Sequence, residues 1–206
     1  KGIRSHQLDS EMILSKILKK PREKIIINLD KNITIKELLS FWRFIGRRLK
    51  REPIAYLLGE KEFWSKSFIV NKNTLIPRPE TELMIDKIVK IYENKKINIL
   101  DIGTGSGCII ISLLSELENS TGIGVDISSK AILVAKKNKE RYNINNRLRF
   151  LQKSFNDIYN YKFDLILSNP PYVDKRFLNR LEDDVRKYEP IIALDGGKDG
   201  LDVVEK

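Results

Sequence analysis

The chain has 206 residues, of which 41% are hydrophobic and 32% charged, and its formal net charge is +10. This length and composition are typical of one or two globular domains, and no apolar run approaches the length of a membrane span. A single cysteine, Cys108, excludes an intrachain disulfide and fits the reducing cytoplasm. With one histidine, His6, and no clustered ligands, no metal site is expected. The positive charge favours a polyanionic partner such as RNA, although lysines scattered over a solvated surface account for it equally well.

The first predicted elements, in residues 1–59, are helices. An amphipathic stripe follows Thr34, which forms a plausible capping box with Glu37. A short helix is expected between Pro53 and Gly59, because proline favours a helix start and glycine a helix end. We expect the apolar stripes to form the core of a small helical domain rather than a ligand site.

The next segment, residues 60–77, contains strand formers and the turn signal Asn71-Lys72-Asn73, which predict a β-hairpin or linker. From residue 97 onward, short buried strands alternate with helices. This alternation predicts a parallel, doubly wound sheet. The predicted strands are residues 97–102, 122–126, 148–152 and 163–168, and the predicted helices are residues 80–92, 107–117 and 129–142.

A glycine-rich loop follows the first of these strands, in the segment Asp101-Ile102-Gly103-Thr104-Gly105-Ser106-Gly107. Three glycines in five residues allow a tight turn and a close approach of the backbone to a ligand. The second strand ends in Asp126, and an acid about 20 residues after such a loop holds ribose hydroxyls in dinucleotide-binding folds. The Gly-x-Gly-x-Gly spacing suits S-adenosyl-L-methionine better than NAD, because this cofactor has no pyrophosphate and its cationic groups favour nearby acids. The predicted cofactor-binding residues are Asp101, Gly103, Thr104, Gly105, Ser106, Gly107 and Asp126.

The tetrapeptide Asn169-Pro170-Pro171-Tyr172 follows the last predicted strand, at the end where open α/β sheets bind ligands. Asn169 and the Pro170 carbonyl offer two acceptors, the prolines restrict the backbone, and Tyr172 supplies a flat face. These features fit a planar –NH2 group, either a carboxamide or an exocyclic amine of a nucleobase. Together with the glycine-rich loop, they predict methyl transfer. The predicted catalytic residues are Asn169, Pro170 and Tyr172, and Pro171 joins them as a predicted substrate-binding residue.

Further motifs extend the pattern over almost the whole chain. They are Arg51-Glu52-Pro53-Ile54-Ala55-Tyr56-Leu57-Leu58-Gly59, Leu75-Ile76-Pro77-Arg78-Pro79-Glu80-Thr81-Glu82, and residues 188–190, 195–197 and 199–201. Together with the loop at 101–107, Asp126 and residues 169–172, they resemble the protein-(glutamine-N5) methyltransferases that modify peptide chain release factors.

The resemblance implies a helical domain (residues 1–59) that helps to hold a class I release factor, a hairpin linker (60–77) and a Rossmann-like catalytic domain (78–206). The implied reaction is methylation of the glutamine in the Gly-Gly-Gln loop of the release factor, a step in translation termination, with S-adenosyl-L-methionine as donor and no metal. The family continues to a seven-stranded sheet, so a catalytic domain without its C-terminal strands is expected here. Neither a membrane nor direct contact with nucleic acid is required, although the charge allows the latter.

The resemblance also implies residue roles. Asn169 is expected to contact both cofactor and substrate, and Arg78 and Thr81 are expected near the cofactor. The family often has an acid and a tryptophan after the third strand, where this chain has Gln152-Lys153-Ser154-Phe155. We expect Ser154 or Phe155 to make the adenine contact instead.

Two alternatives compete with a glutamine methyltransferase. The net charge and the aromatic face of Tyr172 favour a nucleic-acid methyltransferase acting on adenine N6 or guanine N2, whereas residues 51–59 and 75–82 favour glutamine. A non-catalytic module that binds a ribosomal or release-factor partner is the third interpretation. The retention of both Asp126 and Asn169 argues against it.

Overall fold

The computed structural model describes residues 2–27, 32–159 and 161–205. Its helices are α1 (His6–Leu18), α2 (Arg22–Ile27), α3 (Ile35–Leu49), α4 (Ile54–Leu58), α5 (Glu82–Tyr92), α6 (Cys108–Glu116), α7 (Ser129–Arg141) and α8 (Asp183–Tyr188). Its strands are β1 (Glu60–Phe63), β2 (Lys66–Ile69), β3 (Asn98–Ile102), β4 (Thr121–Asp126), β5 (Leu148–Gln152) and β6 (Leu165–Ser168). The strands and helices predicted between residues 80 and 168 are therefore confirmed, with small shifts at their ends.

Local capping explains where the helices of the first 59 residues begin and end. The Glu37 N–H donates to Thr34 Oγ1 at 3.3 Å and the Thr34 N–H donates to Glu37 Oε2 at 2.7 Å, which is the predicted capping box of α3. Helix α4 follows Pro53 and ends at Gly59, whose φ of 75° is left-handed. Helix α1 packs against α2, α3 and α4.

The expectation that the apolar stripe of α3 forms domain core is wrong for most of the stripe. Ile35, Leu39, Trp42 and Leu49 are each more than 60% exposed. The buried residue of α3 is instead Arg48, whose Nε donates to Asp9 Oδ2 at 2.7 Å. Helical spacing places apolar residues on one face, but it does not determine which face a neighbouring helix covers.

Strands β1 and β2 form an antiparallel hairpin, as predicted for this segment, with Glu60 opposite Ile69. The other four strands form a parallel sheet in the order β5-β4-β3-β6. In its register Ile102 pairs with both Val125 and Ser168. Because the strands are parallel, the residues that follow β3, β4 and β6 meet at one edge of the sheet.

The main core joins one face of this sheet to α5, α6 and α7, and it includes Ile85, Ile110, Leu113, Ile132, Leu148, Phe150 and Leu167. The opposite face carries a smaller cluster of Leu100, Val125 and Ile158. The architecture is the Rossmann-like α/β fold expected from the alternating pattern. None of the helices in the described ranges is long and apolar enough to cross a membrane.

Candidate functional site

A cavity of about 630 Å³ lies at the carboxyl edge of the parallel sheet. Six parts of the chain form most of its wall: the segment after the hairpin, the glycine-rich loop, the residues after β4, the residues after β5, the residues after β6, and the segment after α8. Among the lining residues are Arg78, Thr81, Gly103, Thr104, Gly105, Ser106, Asp126, Ser154, Phe155, Asn169, Pro170, Pro171, Ile191, Ile192 and Asp195.

The backbone of the glycine-rich loop needs its glycines. Gly103, Gly105 and Gly107 all have positive φ angles, of 68°, 55° and 78°. At Gly107 a Cβ atom would also lie 2.8 Å from Phe150 Cζ, so the core beneath the loop excludes a side chain. The loop is therefore held close to the sheet, and its residues 103–106 face the cavity.

Asp101 supports this loop from below. It is fully buried, and its Oδ2 accepts a 2.6 Å hydrogen bond from Thr104 Oγ1. Its Oδ1 has no hydrogen-bond partner within the described residues. Burial raises the pKa of Asp101 to about 7, and the nearby charge of Asp126 acts in the same direction, while the Thr104 hydrogen bond opposes them. Neither Asp101 nor Gly107 is part of the cavity wall.

Asp126 lines the cavity and is fixed by two backbone donors. Its Oδ2 accepts from the Gly105 N–H at 3.0 Å, and its Oδ1 accepts from the Ser128 N–H at 2.9 Å. Ser154 and Phe155 line the same side, because they follow β5, the neighbour of β4. The structure thus brings these three predicted residues together.

Asn169, Pro170 and Pro171 line the cavity beyond β6. Ser168 Oγ donates to the Ile102 carbonyl at 3.0 Å, which joins the end of β6 to the start of the glycine-rich loop. Tyr172 is separate from this group, since its side chain is 65% exposed and does not line the cavity. The ring of Tyr172, which was predicted to supply a flat face in the site, therefore lies outside the cavity wall.

The segment after α8 is hydrogen-bonded to Val173, the residue directly after the tetrapeptide. The Val173 N–H donates to the Leu194 carbonyl and the Gly196 N–H donates to the Val173 carbonyl, both at 2.9 Å. A Cβ atom at Gly196 would lie 2.8 Å from Tyr172 Cα, so the two backbones touch. Only glycine allows this approach.

Two buried polar residues that organise the site received no predicted role, although one of them, Glu189, lies in the segment 188–190 on which the resemblance rests. Asn138 is fully buried, and its amide bonds the backbones of Ile69 and Ser106. Glu189 has a side chain only 1% exposed and accepts from Arg78 Nη2 at 2.6 Å and from the Ile76 N–H at 3.1 Å. Asn138 lies in a run of lysines that is typical of a solvated helix face, so no local signal indicates its burial.

No group of histidine, cysteine, aspartate or glutamate side chains in the described ranges could hold a metal ion.

Comparison with known proteins defines the class. Residues 93–196 match the model of a methyltransferase domain, and residues 1–59 match that of the PrmC N-terminal domain. The crystal structure of the hMettl16 catalytic domain with a MAT2A 3'UTR hairpin shares the fold with a TM-score of 0.54, at 20% identity over 67% of this chain and 53% of that chain. The fold and the matched domain are thus those of a Rossmann-like methyltransferase.

Closer relatives identify the family. The release factor glutamine methyltransferase of Geobacter sulfurreducens is 40% identical over 202 residues, covering 98% of this chain and 70% of that protein. The bifunctional methyltransferase of Rickettsia conorii is 40% identical over 226 residues, covering 97% of this chain and 43% of that protein. The chain belongs to the release factor glutamine methyltransferase family, as the resemblance predicted, and it spans less than half the length of the bifunctional relative.

Proposed function

We propose that the protein transfers a methyl group from S-adenosyl-L-methionine to the side-chain amide nitrogen of the glutamine in the Gly-Gly-Gln loop of class I peptide chain release factors. One observation carries the proposal: Asn169 and Pro170 line the same cavity as the glycine-rich loop and Asp126, in a chain of this family. The likeness to the hMettl16 domain concerns the fold alone, so it does not favour the nucleobase alternative.

The residues present fit this cofactor, which supplies a methyl group on a positively charged sulfur when bound. Gly103 and Gly105 let the backbone approach a ligand closely. Each oxygen of Asp126 accepts one backbone N–H and keeps a further lone pair, which suits ribose hydroxyls. The buried Asp101, with one oxygen unpartnered, adds negative charge beneath the loop when ionised. Ser154 and Phe155 are proposed to contact the adenine.

The acceptor nitrogen is the chemical difficulty, because a carboxamide nitrogen delocalises its lone pair into the carbonyl. Asn169 Oδ1 and the Pro170 carbonyl would accept its two N–H bonds and so fix its position. Orientation of this kind contributes roughly 7–11 kcal/mol in favourable cases, so no strong general base is required. As the N–CH3 bond forms, the S–CH3 bond would break and S-adenosyl-L-homocysteine would leave, and the methylated nitrogen would then lose its proton to water. In this proposal, Pro171 keeps the backbone rigid. The ring of Tyr172 rotates so that it packs on the amide plane of the bound glutamine.

The proposal divides the chain into a helical part that helps to hold the release factor (1–59), a linker (60–77) and the catalytic part (78–206). The PrmC N-terminal match over residues 1–59 supports the first boundary. A cytoplasmic location, in the compartment of translation termination, is part of the same proposal. The single thiol of Cys108, which is buried, supports it.

One competition experiment separates the three interpretations. The full-length protein is incubated with labelled S-adenosyl-L-methionine, a release factor, and total RNA or DNA. Label on the release factor that disappears when the loop glutamine is changed to alanine supports the proposal. Label on nucleic acid supports the nucleobase alternative, and binding of the release factor without any label supports the non-catalytic module.

A further inference from the structure

Helix α8 is attached at both of its ends to the turn that closes α3. Asp184, in the first turn of α8, accepts from Arg48 Nη1 at 2.7 Å. The hydroxyl of Tyr188, the last residue of α8, donates to the Lys50 carbonyl at 2.8 Å. These partners lie 136 and 138 positions apart in the chain. Because α8 is held at two points, it cannot rotate about either contact.

The turn at the end of α3 is itself braced against movement. Arg48 also donates from Nε to Asp9 Oδ2 at 2.7 Å and from Nη1 to the Glu52 carbonyl at 3.1 Å. The side chain of Arg48 is 10% exposed, and Asp9 is 2% exposed. A buried charge that loses its partner is costly, so the guanidinium stays in place and offers α8 a rigid anchor.

The residues that follow α8 form part of the cavity wall, and we call positions 190–195 the wall segment. Ile191 and Asp195 are among its cavity-lining residues. Val173, which directly follows the tetrapeptide, donates its N–H to the Leu194 carbonyl and accepts the Gly196 N–H, both at 2.9 Å. A continuous series of contacts therefore runs from the turn after α3 through α8 and the wall segment to the tetrapeptide.

We propose that α8 fixes the tetrapeptide relative to the helical part, and that Asp184 and Tyr188 are positioning residues for the acceptor amide. Neither residue lines the cavity, so both act through the wall segment that they hold. A misplacement of about 1 Å near the reacting atoms costs roughly 100-fold in rate, so a contact far from Asn169 can still affect methyl transfer. The inference rests on the proposed function, since the acceptor amide is that of the release-factor glutamine.

Two conservative variants each remove one contact of α8 and leave the buried pair of Arg48 with Asp9 intact. Asp184→Asn keeps the shape of the side chain, and Tyr188→Phe removes only a hydroxyl. Each should lower the rate of a single turnover on a release factor by about 3-fold to 10-fold, the range that one hydrogen bond supplies. Saturating S-adenosyl-L-methionine keeps changes in cofactor affinity out of this rate. An unchanged rate for both variants would overturn the inference.

Asp183→Asn is the matched control, because it removes a neighbouring carboxylate of the same helix. Asp183 pairs with Arg186 and Lys187, which both belong to α8, so the contacts with α3 remain. These pairs are partly exposed, and their loss should change the rate by less than about 2-fold. An equal loss from Asp183→Asn and Asp184→Asn would show that the attachment of α8 to α3 has no special effect.

A double-mutant cycle with Asn169→Ala separates positioning from a loss of stability. If Asp184 acts through Asn169, the effect of Asp184→Asn should fall below about 2-fold once Asn169 is alanine, because the group that it positions is gone. A merely structural contact lowers the folded fraction by the same factor in both backgrounds. That additive result would overturn the inference.

Hydrogen exchange of the whole protein gives a second readout, which needs no turnover. The amides of Val173 and Gly196 report on the contact between the wall segment and the tetrapeptide. Both variants of α8 should lower their protection by about 3-fold to 10-fold and leave that of β4 unchanged. Equal loss in β4, or no loss at Val173, would refute the positioning role. If the wild type leaves a release factor unmethylated, the proposed function fails, and exchange still decides whether α8 holds the tetrapeptide.

Discussion

The side-chain amide of Asn138 donates a 2.9 Å hydrogen bond to the carbonyl oxygen of Ser106, so a fully buried residue of α7 holds the glycine-rich loop. The same side chain accepts from the Ile69 N–H at 2.8 Å and donates to the Ile69 carbonyl at 3.0 Å. Three elements distant in sequence therefore meet at one amide.

Replacing this amide should loosen both the fold and the loop. We expect Asn138→Ala to lower the free energy of unfolding by roughly 1–3 kcal/mol for each buried backbone group left without a partner, and to weaken cofactor binding. Urea denaturation and calorimetry measure the two effects. Asn145→Ala, in the exposed turn before β5, should change stability by less than about 0.5 kcal/mol. Equal effects from both variants would contradict the role of Asn138.

Arg48, in α3, connects α1 to α8 through two ion pairs. It donates to Asp9 and to Asp184, each at 2.7 Å, and its side chain is 10% exposed. Arg48→Met leaves two carboxylates without their cation, so we expect a loss of about 3–5 kcal/mol in the free energy of unfolding. Arg22→Met breaks an exposed pair with Glu11 and should cost less than about 1 kcal/mol. A similar cost for both variants in urea denaturation would refute a special contribution from the buried pair.

Asp101 should make stability depend on pH. Burial raises its pKa in the folded protein to about 7, from an ordinary value of 3.8, so between these values the folded state holds a proton that the unfolded chain releases. The group therefore favours folding at low pH, and this contribution is lost as the pH rises through about 7. At about 1.4 kcal/mol per pKa unit, the effect is a few kcal/mol at most.

Asp101→Asn removes this titration and keeps the shape. Urea denaturation without added methyl donor should show the variant gaining stability over the wild type as the pH rises from about 5 to about 8. Asp86→Asn, which removes a partly exposed carboxylate paired with Lys90 on α5, is the control and should show no such trend. A pH-independent difference for Asp101→Asn would be evidence that its carboxyl titrates normally.

Substitution of Asn169 tests the proposed hydrogen bond between its side chain and the amide that is methylated. Asn169→Ala should reduce kcat by roughly 100-fold to 1000-fold, the usual cost of losing one positioned hydrogen-bonding group at a reacting centre. Single-turnover methylation of a release factor measures the loss, and calorimetry shows whether the cofactor still binds. Near-normal turnover with the cofactor bound would refute the proposed role, whereas Asn145→Ala should leave turnover unchanged.

Much of the fold follows from local pattern. The capping box of Thr34 and Glu37, the end of α4 at Gly59 and the strand Leu148–Gln152 depend on a few adjacent residues, so they are predictable from the sequence. The exposed stripe of α3 is not, because the spacing of Ile35, Leu39 and Trp42 is the same whether a neighbour covers them or not.

The types of element, the glycine-rich loop, and the acceptors of Asn169 and Pro170 are predictable from the sequence, since each depends on residues close together in the chain. By contrast, the fold is needed to learn that Glu189 meets Arg78, that Asn138 bonds Ser106, and that Tyr172 lies outside the cavity wall. The residues of the two contacts are 111 and 32 positions apart. Parallel strands bring such segments to one edge of the sheet, and burial then requires every polar group there to find a partner.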